Sequence, residues 1–115
     1  MGEIKDITQK MMQFREERDW KQFHNHKDVA LSLVLEAAEV LEHFQWKSPE
    51  EVVRYGQENK EVLGDELADV AWYLFELAHD LGIDLPQAIE RKTAKNAAKY
   101  PVDKCKGRHT KYNKL

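Results

Sequence analysis

Apolar residues recur at helical spacing along almost the whole chain, and in two stretches they are so dense that the few polar positions form a single line. Between Val29 and Leu41 the only polar residues are Ser32, Glu36 and Glu39, and with His43 they fall along one narrow stripe. From Leu63 to His79 the pattern recurs. Glu66, Asp69, Tyr73 and Glu76 line one stripe, and residues such as Leu67, Trp72, Leu74 and Phe75 cover the others. Helices this apolar are expected to be buried. The pairs Glu36-x-x-Glu39 and Glu66-x-x-Asp69 then become acidic lines inside a hydrophobic shell, and their four carboxylates are expected to converge.

The same periodicity places the other elements. A first helix is predicted from Ile4 to Arg18, with Ile4, Ile7, Met11 and Phe14 as its buried stripe. Asp19 to Lys27 is a loop that sets Trp20, Phe23, His24 and His26 near one another. Asp28 is the predicted N-cap of the second helix, which reaches Trp46. Ser48-Pro49-Glu50-Glu51 supplies an N-cap, a proline at the first helical position and a capping-box glutamate for a short helix. Gly56 to Asn59 is expected to interrupt it before a third long helix, Lys60 to Leu81, which Gly82 ends. Asp84-Leu85-Pro86-Gln87 opens a fourth, which stops at Tyr100-Pro101. No strand pattern and no internal repeat is present, so an all-α, four-helix-bundle-like fold is expected.

Composition narrows the class. At 115 residues the chain is expected to form one domain, residues 1–102, followed by a basic tail, residues 103–115. Every long apolar stretch is broken by an acid and no apolar leader opens the chain, which predicts a cytoplasmic protein that does not enter a membrane. The single cysteine, Cys105, has no partner for an internal disulfide. A net charge of −3 hides a division: Met1 to Glu90 holds 9 basic and 20 acidic residues, whereas Arg91 to Leu115 holds 9 basic and one acidic. Such a tail suits a solvated terminus, a contact with nucleic acid, or a cover that holds a small ligand's phosphates. No helix-turn-helix, zinc-finger spacing or glycine-rich phosphate loop accompanies it, which argues against nucleic acid as a partner.

Four carboxylates crowded in an apolar setting would have to take up protons unless a cation joined them. Oxygen-only donors suit a hard ion, Mg²⁺ or, in its place, Mn²⁺, better than zinc. Acids at this spacing ordinarily form a solvated helix face; here the apolar flanks argue for a metal site. Trp72, within an apolar helix, reads as core. Trp20 and Trp46, at helix edges beside polar residues, fit either caps of the bundle or a stacking pocket for a flat ring such as a nucleobase.

Glu-x-x-Glu on one helix followed after a short connection by Glu-x-x-Asp on the next resembles the signature of the MazG-like all-α nucleoside triphosphate pyrophosphohydrolases. Arg18 to His24, Phe44-Gln45-Trp46-Lys47, Asp69 with Tyr73, Asp84-Leu85-Pro86, and Lys92 to Asn96 leading into Tyr100-Pro101 are similar to the dCTP pyrophosphatase branch of that family. The resemblance spans Ile4 to Pro101. It implies that Glu36, Glu39, Glu66 and Asp69 hold Mg²⁺ and serve catalysis, and that Trp20 and Trp46 enclose the base with Phe23 and His24 nearby. By the same resemblance Tyr73, Lys92 and Asn96 meet the phosphates. It also implies a homo-oligomer, dimers pairing into tetramers, and hydrolysis of a nucleoside triphosphate to monophosphate and pyrophosphate. One departure concerns base preference: the branch carries a histidine about where this chain has Met11.

Two other readings compete. Glu76-Leu-Ala-His79 fits the Glu-x-x-His element of di-iron bundles, which need two such elements where this chain has one. A helical interaction or regulatory module with a basic tail is the non-enzymatic alternative, and against it stands the cost of buried acids that serve no ligand.

Overall fold

The structure, a computed structural model, describes residues 2–115. It is all-α, with no strand among the described residues, and its backbone divides into two compact units, one ending at Gly82 and one running from Ile83 to Leu115. The first holds α1 (Glu3–Glu17), a 3₁₀ turn (Lys21–Phe23), α2 (His26–Glu42), α3 (Pro49–Glu58) and α4 (Lys60–Asp80). The second holds α5 (Leu85–Lys99), α6 (Val102–Cys105) and a closing 3₁₀ turn (Tyr112–Lys114).

Within the first unit α4 is the common neighbour, packing most extensively on α2 and also on α1 and α3. Its 21 residues give it a length of about 32 Å, enough for three helices to share it. The α1 face turned inward is Thr8, Met11, Met12 and Arg15, while Ile7 and Phe14 stay exposed. This corrects the expected stripe. Arg15 is drawn to Glu76 and Asp80 on α4, and seating that ion pair rotates α1 away from its most apolar register.

Burial of α2 also departs from expectation. Val29 is its sole buried residue among those described, and Val34 and Leu35 keep 63% and 57% of their surface open. A helix covered mainly by one neighbour can hide only one face, so the rest of α2's apolar surface stays outside this chain. Trp72 is half-buried, with Phe14 standing edge-on at 5.4 Å between ring centroids.

Local chemistry explains most boundaries. Asn25, not Asp28, caps α2: its side chain accepts the Asp28 amide at 2.9 Å and donates to the Asp28 carboxylate at 2.8 Å. Either residue type can cap, and this reciprocal pair places the start three residues earlier. Past Glu42 the chain continues as turns to Trp46. Ser48 and Glu51 form the expected capping box with Pro49 opening α3. Gly56 does not break that helix, which continues to Glu58 and leaves only Asn59 before α4. Gly82, at φ +68°, takes the left-handed position that ends α4. Asp84 caps α5 by accepting the Gln87 amide at 3.1 Å.

In the second unit, Tyr112 stands edge-on to Tyr100 at 6.1 Å, and the Lys99 ammonium lies 4.7 Å over its ring. The last residues thus fold back on the end of α5. No helix among the described residues is long and apolar enough to cross a membrane.

Candidate active site

The α2–α4 contact brings the two acidic stripes face to face. Glu36 and Glu39, one turn apart on α2, and Glu66 on α4 each offer a carboxylate oxygen, and these oxygens all lie within 4.8 Å of one another. Glu36 Oε2 is buried and has no hydrogen-bond partner. Burial, the adjacent Glu39 carboxylate, and the charges of Asp69 and Glu66 all push the Glu36 carboxyl above its ordinary range. A group so placed resists ionising unless a cation arrives. An orphaned oxygen, three converging carboxylates and an all-oxygen donor set fit a hard divalent cation. Asp69, one turn beyond Glu66, is exposed and stands outside the trio, although its charge reaches Glu36.

Tyr73 follows Asp69 on the same stripe. Burial, then the charges of Glu36, Glu76 and Asp69, raise its hydroxyl above the ordinary value, so it stays a neutral donor at physiological pH. Glu76 closes the line and is fully buried. Its Oε2 accepts from Arg15 at 2.8 Å and lies 2.5 Å from His24 Nδ1, while Arg15 adds two hydrogen bonds to Asp80. His24 is thereby tied to α4, and the loop holding Trp20 and Phe23 is tied with it.

Trp20 is part-exposed and packs edge-on to Phe14 at 5.7 Å, and Arg18 lies 3.6 Å over the Phe14 ring. Phe23 is exposed. Trp46, in the turns after α2, is 87% exposed. Lys92 and Asn96 lie one turn apart on α5, both exposed, within the second unit. Glu76 and His79 serve separate partners: Glu76 faces Arg15 and His24, whereas His79 turns to Asp80.

Other residues at the site received no role in the sequence reading. Glu42, His43, Lys47 and Tyr55 line, with Glu39 and Glu66, a cavity of about 520 Å³ beside the acid trio. His43 lies one turn past Glu39 on the polar stripe, and that spacing was the available signal. Tyr55 comes from α3 and had none. Arg15 had only a faint one, the acids Glu76 and Asp80 four residues apart on α4.

An all-α unit in which two acid-bearing helices face each other across a cation-ready trio defines the MazG-like class. A model of the MazG-like family matches residues 31–115, and the chain belongs to that family. Among relatives, the chain is 41% identical to dCTP pyrophosphatase 1 of Mus musculus over 97% of its own length and 67% of that protein's. It is 38% identical to the Homo sapiens protein of the same name, over the same shares. A crystal structure of a pyrophosphatase from Archaeoglobus fulgidus superposes with a TM-score of 0.83 at 34% identity, covering 88% of this chain and 94% of that one.

Proposed function

We propose that this chain is a metal-dependent pyrophosphohydrolase that cleaves deoxynucleoside triphosphates, dCTP foremost, to monophosphate and pyrophosphate, serving to cleanse or balance the nucleotide pool. The observation that carries this reading is the Glu36–Glu39–Glu66 trio with its unpartnered, buried oxygen. Relatives named dCTP pyrophosphatase and a structural neighbour named pyrophosphatase support the reaction class and the lean toward dCTP.

Glu36, Glu39, Glu66 and Asp69 would hold Mg²⁺, with Mn²⁺ as substitute. When bound, the ion supplies charge neutralisation for the triphosphate. Glu39 is the most open of the trio, so we assign it to orienting or deprotonating the water that attacks the α-phosphorus. Tyr73 stays protonated and can donate to a phosphate oxygen. Along α4, Glu66 and Glu76 are separated by about 15 Å of helix rise, a span that suits an extended nucleotide. Phosphates at the acid trio would put the base toward Trp20, Phe23 and His24, with Trp46 as the second stacking face. Lys92 and Asn96 are assigned to the phosphates.

The uncovered apolar faces of α2 and α4 support a homo-oligomer, in which a second copy would hide Leu31, Val34, Leu35 and Leu67. Light scattering at micromolar concentration should give a dimer or tetramer; a monomer would remove this part of the reading.

The deciding experiment is incubation with each common dNTP and NTP in Mg²⁺, resolving nucleotides chromatographically and assaying pyrophosphate and orthophosphate. Monophosphate plus pyrophosphate, abolished by Glu36→Gln, is expected, with dCTP turned over fastest. Folded protein that turns over no nucleotide would overturn the reading.

A further inference from the structure

His43 sits just past the end of α2, and α3 carries Tyr55 up to it. The Tyr55 hydroxyl lies 2.6 Å from His43 Nδ1, and on the far side of the ring His43 Nε2 lies 3.4 Å from Glu66 Oε1. An ionised carboxylate offers only lone pairs, so the nitrogen facing it must carry a proton. In a neutral imidazole Nδ1 is then the acceptor, and the Tyr55 hydroxyl donates to it. The partners around Tyr55 are themselves held. Lys47 donates to the His43 carbonyl at 2.6 Å with its ammonium 4.3 Å from the centre of the Tyr55 ring, and Phe44 stands edge-on to that ring at 5.9 Å.

We propose that His43, oriented by Tyr55, is a positioning residue that directs the Glu66 carboxylate toward the cation site. This rests on the reading of Glu36, Glu39 and Glu66 as that site. The Glu66 carboxylate requires the proton on Nε2, the Tyr55 hydroxyl donating to Nδ1 holds the ring in that orientation, and the N–H so placed takes up one Glu66 oxygen and limits rotation of the carboxylate. A ligand held in this way loses less freedom when a cation binds, and removing such support commonly lowers metal affinity by about 10–100-fold. His43 acts through Glu66 and need not touch the nucleotide.

The test is Mn²⁺ titration of the metal-free protein without nucleotide, read by the electron paramagnetic resonance of free Mn²⁺. His43→Ile should weaken binding by about 10–100-fold, and Tyr55→Phe should weaken it in the same direction but by less. His43→Gln, which restores an N–H donor, should recover part of the loss. Nitrogen-15 spectra of the wild-type imidazole should show the proton on Nε2, a readout that needs no variant to fold. Wild-type Mn²⁺ affinity in both His43→Ile and Tyr55→Phe would overturn the proposal, as would a proton on Nδ1 in the wild type or no Mn²⁺ binding at all. Mn²⁺ binding that depends on His43 in a protein without nucleotide hydrolysis would instead sink the proposed function and leave this role standing.

Discussion

Arg15 and Asp80 meet through two parallel hydrogen bonds, Nη1 to Oδ2 at 2.9 Å and Nη2 to Oδ1 at 3.0 Å, and so join α1 to the last turn of α4. Arg15 also reaches Glu76, so one guanidinium serves two acids in the most buried polar cluster among the described residues. Its side chain is 4% exposed, that of Glu76 0% and that of Asp80 11%. Removing one member of a buried ion pair leaves the others without compensation, at a cost of about 3–5 kcal/mol. Arg15→Met should therefore destabilise the protein by about that amount, read as a lower urea midpoint. A loss under about 1 kcal/mol would show that water or a neighbour replaces the guanidinium.

Asp80 gives this cluster a pH signature. Burial alone would raise its carboxyl, but the hydrogen bonds from Arg15 and His79 outweigh that and hold it below the ordinary 3.8. A depressed folded-state value means the stabilisation is fully present above the unfolded value and is lost as pH falls through the folded one. Wild type should lose stability below about pH 4, and Asp80→Asn should flatten that limb of the profile. Parallel acid limbs in urea titrations of the two proteins would place the acid sensitivity elsewhere.

Glu36 pulls the other way, because its folded state disfavours the charge it must carry to bind a cation. Its carboxyl is raised, so it favours the fold at acid pH and opposes it as pH rises past the folded value. Glu36→Gln should raise the melting temperature of EDTA-treated protein at neutral pH while abolishing turnover. Mg²⁺ should raise the melting temperature of the wild type and leave the variant unmoved. A variant melting below the wild type in EDTA would mean that the carboxylate supports the fold without any ion.

Trp46 separates binding from folding. At 87% exposure it makes little contribution to the stability of the single chain, and Trp46→Ala should leave the unfolding free energy from urea titration within about 0.5 kcal/mol of wild type. As a stacking face for the base, its loss should raise KM about 5–150-fold, on the scale of about 1–3 kcal/mol per stacked base. An unchanged KM for dCTP would remove Trp46 from the base pocket.

Glu36-x-x-Glu39 and Glu66-x-x-Asp69 could be read from the chain because helical spacing places residues three apart on one face whatever surrounds the helix. The capping box at Ser48, the turn at Gly82 and the cap at Asp84 were legible for the same reason: each is settled within a few residues. Helix type and order, and the acidic character of both stripes, were thus properties of the sequence itself.

What lies between helices was not legible. The register of α1 followed Arg15 into an ion pair with residues more than sixty positions away, against the more apolar stripe through Ile7 and Phe14. The apolar density of α2 promised burial, yet burial depends on how many neighbours a helix has, and one chain supplies mainly α4. That Glu66 completes a trio with Glu36 and Glu39, and that Tyr55 holds His43 beside it, was decided only when α2, α3 and α4 packed. Local spacing fixes which face a side chain takes; the meeting of two faces depends on crossing angle and rotation, and those are set by the packing of side chains distant in sequence.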